Sequence, residues 1–324
     1  MAKIIISAPG KLMLFGEHAV VYGKPCIVTA VDQRIKATVT LIDEQILKID
    51  APDVNISNYQ KSNNQLNKGD VPKGVRFVEA AVANMFERYS LNTGIQVQTS
   101  SDFSSTVGFG SSSASTVCVV KALSELFALR MTNTDMFDVC YKTVLDIQGV
   151  GSGFDVASAI YGGTIYFVTP GKTIESLPIG ALPLVIGYTG VKADTATIVK
   201  DLITRYEGRE DERDTLFDQI AEIVEPAKNA ITHGTWDVAG NLMNKNQRVL
   251  ETLGVSSTKL NDMITAARSA GAYGAKLSGA GVGDCMIALV SEEKRIAVEK
   301  AIISVNGEII HVKSNAEGVR GERI

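Results

Sequence analysis

The sequence has few of the features that place a protein in a membrane or outside the cell. Its 324 residues include four cysteines, none in a C-x-x-C pair, so neither a zinc site nor a disulfide framework is indicated. The longest uncharged stretches, 103–120 and 176–191, are interrupted by serine, glycine or proline, and neither predicts a transmembrane span. The N-terminus reaches Pro9 and Gly10 after one short apolar run, too short for a signal peptide. We therefore expect a cytosolic protein without a membrane partner.

An excess of charge of one sign is also missing. The chain has 36 acidic and 32 basic side chains, a formal charge of -4, and no cluster of lysine or arginine. Binding to nucleic acid through release of counterions is therefore not expected. With 45% hydrophobic residues, the chain can form a large core, and its length predicts two domains or one domain with an elaborated second lobe.

The residue patterns predict a mixed α+β protein in two lobes. Two β-branched runs, Lys3–Ser7 and Pro25–Leu41, indicate strands. Polar residues 55–73 lack periodicity and predict an exposed loop, and residues 207–214 predict a charged turn. A stretch rich in proline and glycine near residue 180 is the candidate boundary between lobes 1–180 and 181–324. Apolar spacing predicts helices at 75–89, 114–129, 132–145, 154–160, 195–206, 215–232, 236–252, 259–269 and 293–304.

A central tract of glycine and serine, Gly108–Ala114, has the form of a phosphate cradle. Small residues let the backbone approach an anion, and the helix that follows directs N–H groups and the positive end of its dipole towards it. The tract is not a Walker loop, because no Lys-Ser/Thr follows a G-x-x-x-x-G, and it lacks the third glycine of a dinucleotide fingerprint. Taken alone, it fits equally well a serine-rich surface loop that caps a core helix.

Two further tracts, 8–23 and 276–285, are ambiguous when each is taken singly. In the first, Lys11, Glu17 and His18 stand among apolar side chains. Lys11 could occupy a solvated turn with Glu17 as its ion-pair partner, and His18 could be a hydrogen-bonded core histidine. The glycines of the other tract permit positive φ, which suits a loop near a ligand or a tight turn between strands.

Together and in this order, the three tracts resemble the three motifs of the GHMP small-molecule kinases, and the first is most similar to that of the mevalonate kinases. The motifs span residues 8–285, which is most of the chain. The resemblance implies an α+β N-terminal lobe with a left-handed βαβ unit, a ferredoxin-like C-terminal lobe, and ATP bound between them. The implied reaction is phosphorylation of the primary hydroxyl of mevalonate to 5-phosphomevalonate, with ATP and Mg²⁺.

The resemblance also implies roles for individual residues. Lys11 and Asp155 match the catalytic lysine and aspartate of the family, and Ser112 and Asp155 match positions that contact magnesium. A carboxylate is too weak a base to ionise an alcohol in advance, but it can take the proton as the bond to phosphorus forms. Outside this context, Asp155 would be read as an acid at a helix N-terminus. The other implied positions are Gly108, Gly110, Ser111, Ser112, Ser113, Ala114, Gly279 and Gly281 for the nucleotide, and Glu17, His18 and Thr195 for the acceptor.

Two departures from the family pattern concern the metal and the acceptor. Mevalonate kinases commonly carry a magnesium-binding glutamate 11 residues before the catalytic aspartate, but Val144 occupies that position and the nearest acid is Asp146. On a helix, that offset of two residues turns the side chain by about 200°. Residues 149–157 look more like the corresponding block of phosphomevalonate kinases. The expected magnesium ligands are therefore Ser112, Asp155, phosphates and water.

Three other interpretations stay open at this point. A phosphomevalonate kinase needs extra cations for the phosphate on its acceptor, yet the first motif offers only Lys11 and Lys24. Another GHMP kinase is the second alternative. A non-catalytic ATP-binding regulator on the same fold is the third, and the intact Lys11 and Asp155 argue against it. The motifs leave a homodimer open.

Overall fold

The described residues, 2–104 and 106–323 of the computed structural model, contain two β-sheets and a set of covering helices. The strands are β1 (Lys3–Phe15), β2 (Pro25–Ile42), β3 (Ile46–Ala51), β4 (Ile56–Ser62), β5 (Gly94–Ser101), β6 (Thr164–Val168), β7 (Thr173–Ser176), β8 (Leu184–Tyr188), β9 (Gly274–Ser278), β10 (Cys285–Leu289), β11 (Glu308–Ile310) and β12 (Arg320–Gly321). The helices are α1 (Arg76–Tyr89), α2 (Ser111–Leu126), α3 (Asn133–Gln148), α4 (Phe154–Tyr161), α5 (Thr195–Arg205), α6 (Glu210–Thr232), α7 (Trp236–Leu253), α8 (Thr258–Ser269) and α9 (Arg295–Ser304).

The two sheets have different topologies. The first has eight strands in the order β12-β1-β2-β5-β3-β4, with β6 and β7 attached at β2. Its pairs are antiparallel except β3 with β5, which run parallel with α1 between them in sequence. The second sheet is antiparallel in the order β11-β8-β10-β9. Counted along the chain this order is 4-1-3-2, which with the intervening helices is the ferredoxin-like arrangement and confirms that prediction. The left-handed sense of the parallel unit stays a prediction.

Alternating side chains let single strands serve two hydrophobic cores. In β8, Leu184 and Ile186 enter the core between the sheets, whereas Val185 enters the core under α5, α7 and α8. In β1, Leu12 and Leu14 enter the core between the sheets, whereas Met13 packs on the opposite face with the helices of the first lobe. The two sheets are therefore joined by a shared apolar layer, and β1 lies in it.

The boundary predicted near residue 180 falls between β7 of the first sheet and β8 of the second, and it stays a prediction. The chain does not divide cleanly there, because its last residues return to the first lobe, where β12 pairs with β1. The Arg34 guanidinium, buried in β2, donates to the carbonyl oxygens of Glu317 and Gly318 at 2.8 and 2.7 Å. Residues 313–321 therefore belong with the first sheet.

Several element predictions are confirmed, and three need correction. The first strand does not end at Ser7 but continues to Phe15, with a register shift after Pro9. Residues 56–62 form the edge strand β4 rather than a loop, because its outward polar side chains hide the strand pattern. The charged turn ends early, since α6 begins at Glu210 and its acidic first turn suits the helix dipole.

Within residues 2–104 and 106–323, no helix combines the length and apolar character needed to cross a membrane. All four cysteines are buried and free.

Candidate active site

The loop 108–110 is built from two left-handed glycines around a buried phenylalanine. Gly108 and Gly110 have φ values of 73° and 78°, a region that side chains other than glycine rarely adopt. Phe109 anchors the loop in the core between the sheets. Gly110 is also the N-cap of α2, so residues 111–113 form the first turn of a helix whose body is buried. This places free N–H groups and the positive end of the dipole at the loop.

Lys11 lies under this loop and is tied to it. The residue is only 8% exposed, and its Nζ donates to the carbonyl oxygen of Gly108 at 2.9 Å. Its backbone N–H donates to the carbonyl oxygen of Phe109 at 3.0 Å. The lysine therefore fixes the loop while its ammonium group stays beside it.

Asp155 reaches the same place from α4. A Cβ atom at Gly110 would lie 3.2 Å from Cε of Lys11 and 3.7 Å from Cβ of Asp155, so both side chains flank this glycine. Asp155 is the second residue of α4, whose N-cap Gly153 has φ 89° and makes no side-chain cap bond. The structure thus brings the two predicted catalytic residues together at the loop.

Glu17 and Lys276 form an ion pair with no exposed side-chain surface. Glu17 belongs to the turn after β1, whereas Lys276 lies in β9 and also donates to the carbonyl oxygen of Leu277 at 2.6 Å. Burial raises the pKa of Glu17 and lowers the pKa of Lys276, and each charge opposes the shift of its partner. Glu17 therefore lies beneath the site, and its acceptor-binding role stays a prediction.

Two further bonds join the same segments. The ring of His18, at a φ of 62°, places Nε2 2.9 Å from the carbonyl oxygen of Ala280. Burial lowers the pKa of His18 to about 4, so the imidazole is neutral at pH 7. The Ser278 hydroxyl bonds to both the backbone N–H and the carbonyl oxygen of Met13, at 3.0 and 2.9 Å. The first and third motifs are thereby held against each other across the two lobes.

The glycines of the third motif differ in how much space they have. A Cβ atom at Gly279 would meet nothing within 4 Å, so this residue borders open space at a φ of 98°. At Gly281 a Cβ atom would lie 2.0 Å from the carbonyl oxygen of Val255, so this glycine is required for packing. Both nucleotide-binding assignments stay predictions, with open space beside Gly279 and close backbone packing beside Gly281.

Thr195 is exposed at the first position of α5, after the N-cap Asp194. It follows the loop 189–194, which contacts the third motif through Asp284. A cavity of about 210 Å³ lies beside this loop, and neither Lys11 nor Asp155 lines it. Thr195 is thus tied to the site only indirectly.

Two residues of the site carry no predicted role in the sequence interpretation. Lys276 and Asp284 both lie in the third motif, but nothing in the spacing shows that one is buried against Glu17 and the other against Gly108. The sequence signal that could have suggested these contacts is the presence of two glycine-rich tracts, because glycine allows another chain segment to approach the backbone closely.

Comparison with known proteins agrees with this geometry. Models of the N-terminal and C-terminal domains of GHMP kinases match residues 76–163 and 227–306. A mevalonate kinase of Pyrococcus furiosus is 35% identical over 334 aligned residues, covering 99% of both chains. The solved mevalonate kinase of Methanococcus jannaschii has a TM-score of 0.80 at 25% identity, covering 98% of this chain and 99% of its own. That of L. major, in complex with R-mevalonate, has a TM-score of 0.77 at 25% identity, covering 98% of this chain and 97% of its own. The chain belongs to the GHMP kinases.

Few side chains at this site offer the oxygen atoms that a magnesium ion would need. Ser112 and Asp155 offer oxygen atoms from the first turns of α2 and α4, which is the ligand type that Mg²⁺ prefers. Val144 is buried and apolar, and the carboxylate of Asp146 is bonded to Lys142 and Asn84 at 2.7 and 2.9 Å. Asp146 is therefore held in the contact between α1 and α3. Among residues 2–104 and 106–323, no group of three or more His, Cys, Asp or Glu side chains could hold a metal. The donors present fit an ion bound largely through phosphate and water.

Breaking the buried ion pair of the kinase should be costly. We expect Lys276→Met to lower the free energy of unfolding by about 3–5 kcal/mol, because it leaves the Glu17 carboxylate buried without a counter-ion. The control Lys24→Met breaks the exposed pair with Asp218 and should cost less than about 1 kcal/mol. Urea unfolding measures both. Equal costs for the two variants would contradict the importance of the buried pair.

His18 should make the kinase sensitive to acid. The unfolded imidazole has a pKa of about 6.5 and the folded one about 4, so the unfolded state binds the proton first as pH falls. Between about pH 6.5 and pH 4 this residue should remove about 2–3 kcal/mol of stability. We expect His18→Gln to lose correspondingly less stability than the wild type between pH 7 and pH 4.5 in urea unfolding.

The matched control is His311→Gln, because the side chain of His311 is 78% exposed. This variant also lacks one histidine, so its loss of stability between pH 7 and pH 4.5 is the reference for His18→Gln. If His18→Gln behaved like this control, the acid sensitivity would have to come from other groups.

Proposed function

We propose that this kinase transfers the γ-phosphoryl group of ATP to the primary hydroxyl of mevalonate, forming 5-phosphomevalonate and ADP. The observation that carries the proposal is the convergence of Lys11 and Asp155 at Gly110, where α2 presents its N-terminus. Full-length similarity to proteins named mevalonate kinase supports the choice of acceptor. We also expect the cytosol as its location, and a homodimer stays open.

Lys11 and Asp155 have different proposed roles at the reacting hydroxyl. The hydroxyl oxygen forms a bond to phosphorus, its proton passes to the Asp155 carboxylate, and the bond from phosphorus to the bridging oxygen breaks with its electron pair leaving on ADP. The Lys11 ammonium stabilises negative charge that develops on the attacking oxygen. Because Lys11 is already bonded to Gly108, it needs little reorganisation for this role.

The loop 108–110 and the first turn of α2 are proposed to bind the phosphates. Backbone N–H groups and the helix dipole favour an anion there, and glycine at positions 108 and 110 lets it approach the backbone. Magnesium, when bound, would neutralise charge on the phosphates, with Ser112 and Asp155 as its protein ligands. Residues 111–114, Gly279 and Gly281 complete the proposed nucleotide site.

The acceptor side is proposed to include His18 and Thr195. Mevalonate has one carboxylate and two hydroxyls, so it needs hydrogen-bond donors and little positive charge. Phosphomevalonate brings about 1.5–2 more negative charges. Near the loop 108–110, the buried Lys11 flanks Gly110 with Asp155, and the charges of Lys11 and the exposed Lys192 both act on Asp284. This small number of positive charges favours the acceptor without a phosphate, although residues 149–157 resemble the corresponding block of phosphomevalonate kinases.

Removing the proposed base should abolish most turnover. We expect Asp155→Asn to lower kcat by about 10²–10⁴ while MgATP still binds, because the amide keeps the shape but cannot take the proton. Single-turnover assays and calorimetry would separate the two effects. The control Asp138→Asn lies on the exposed face of α3 and should keep full activity. A variant that retained more than a tenth of kcat would contradict the base assignment.

The acceptor assignment is tested by competition between mevalonate and phosphomevalonate. We expect a kcat/KM at least tenfold higher for mevalonate, because the added charges would lie near carboxylates and ATP phosphates with few cations to offset them. ADP release and mass spectrometry of the products would measure the ratio. A preference for phosphomevalonate would overturn the proposal in favour of that alternative.

A further inference from the structure

Asp284 is a carboxylate at the site that the proposed chemistry does not use. It is only 7% exposed and has a left-handed φ of 56° directly after the glycines of the third motif. Backbone strain of this kind at a residue other than glycine persists only where the surroundings hold it. Its place next to a loop proposed to bind phosphates is electrostatically unfavourable, so its presence there calls for a role other than attraction of the nucleotide.

Three hydrogen bonds connect Asp284 to the loop 189–194. Its Oδ1 accepts from the backbone N–H of Ala193 at 2.8 Å. Its backbone N–H donates to the carbonyl oxygen of Val191 at 2.7 Å, and its carbonyl oxygen accepts from the N–H of Thr189 at 3.0 Å. One residue thereby fixes the path of the chain that leads into α5, where Thr195 is the first position.

The other carboxylate oxygen lies against the loop 108–110. A Cβ atom at Gly108 would fall 2.5 Å from Oδ2, so the carboxylate packs directly on this glycine. Gly108 is also the residue whose carbonyl oxygen binds Lys11. Burial raises the pKa of Asp284, and the charges of Lys11 and Lys192 oppose that shift. Asp284 therefore contacts the nucleotide side with one oxygen and the acceptor side with the other.

We propose that Asp284 is a positioning residue that holds the loop 189–194 at a fixed distance from the loop 108–110, and thereby aligns the acceptor with the phosphates. The proposal rests on the proposed function, which puts the phosphates at the loop 108–110 and the acceptor beside Thr195. Its action comes from the bond to Ala193 and from the contact with Gly108, and not from its charge. Displacements of about 1 Å in such alignments can cost about 10² in rate.

The test compares Asp284→Asn, Asp284→Ala and the control Asp32→Ala. Asparagine keeps an oxygen that can accept from Ala193 but removes the charge, whereas alanine removes both. Asp32 provides a match, because its Oδ1 accepts from the backbone N–H of Lys313 at 2.9 Å on a different surface. For each variant, the melting temperature, the Kd of MgATP without acceptor, and kcat/KM for the acceptor would be measured.

For Asp284→Asn, we expect a Kd of MgATP and a kcat/KM within about threefold of the wild type. For Asp284→Ala, kcat/KM for the acceptor should fall at least tenfold at a temperature where the protein is fully folded. Asp32→Ala should leave both quantities unchanged. A purely structural role would lower the melting temperature of Asp284→Ala without this kinetic loss in the folded enzyme.

Two results would overturn the proposal. If Asp284→Asn were as defective as Asp284→Ala, the charge would matter, as for a magnesium ligand that replaces the carboxylate missing at position 144. If Asp284→Ala were as active as Asp32→Ala, the bond would have no positioning role. Failure of the proposed function is separate, because it would appear as absent turnover of mevalonate by the wild type. The comparison would then use whichever alcohol the wild type phosphorylates.

Discussion

The buried pair of Glu17 and Lys276 is the contact on which the arrangement of the site depends. It joins the turn after β1 to β9 of the second sheet, in a place where neither charge reaches water. In a buried pair the attraction between the charges offsets their loss of hydration only at short range, so separating the two side chains is costly. The hydrogen bonds between Ser278 and Met13 and between His18 and Ala280 join the same two segments of the chain. The two lobes therefore meet in one defined position.

Strand β1 connects this contact between the lobes to the loop 108–110. Leu12 and Leu14 anchor one of its faces between the sheets, so the opposite face presents Met13 to the helices and Lys11 to the loop 108–110. The helices α2 and α4 begin at this same level, each after a left-handed glycine. Because helix N-termini and a lysine converge there, the arrangement favours negative charge at this place.

The sequence was sufficient for the parts that depend on local patterns and ordered motifs. Helix α1 begins one residue after the predicted start, β2 begins at the predicted residue, and Lys11, Asp155 and the loop 108–110 come together as expected. Contacts between distant segments could not be predicted, because no local rule pairs residue 17 with 276 or 108 with 284. The edge strand β4 was missed for a related reason, since exposure on its outer side removes the alternation that marks a half-buried strand.

The burial of Glu17 changes the electrostatic argument about the acceptor. From sequence, Glu17 counts as a negative charge that would repel a phosphorylated acceptor. In the structure its charge is offset by Lys276 and faces no open space, so it contributes little to that repulsion. The repulsion comes instead from Asp155 and Asp284, whose side chains pack against Gly110 and Gly108 of the loop 108–110, the loop to which Lys11 is also bonded. One buried cation for two carboxylates is a poor site for a further phosphate, and a preference for an acceptor with a single carboxylate follows from that balance.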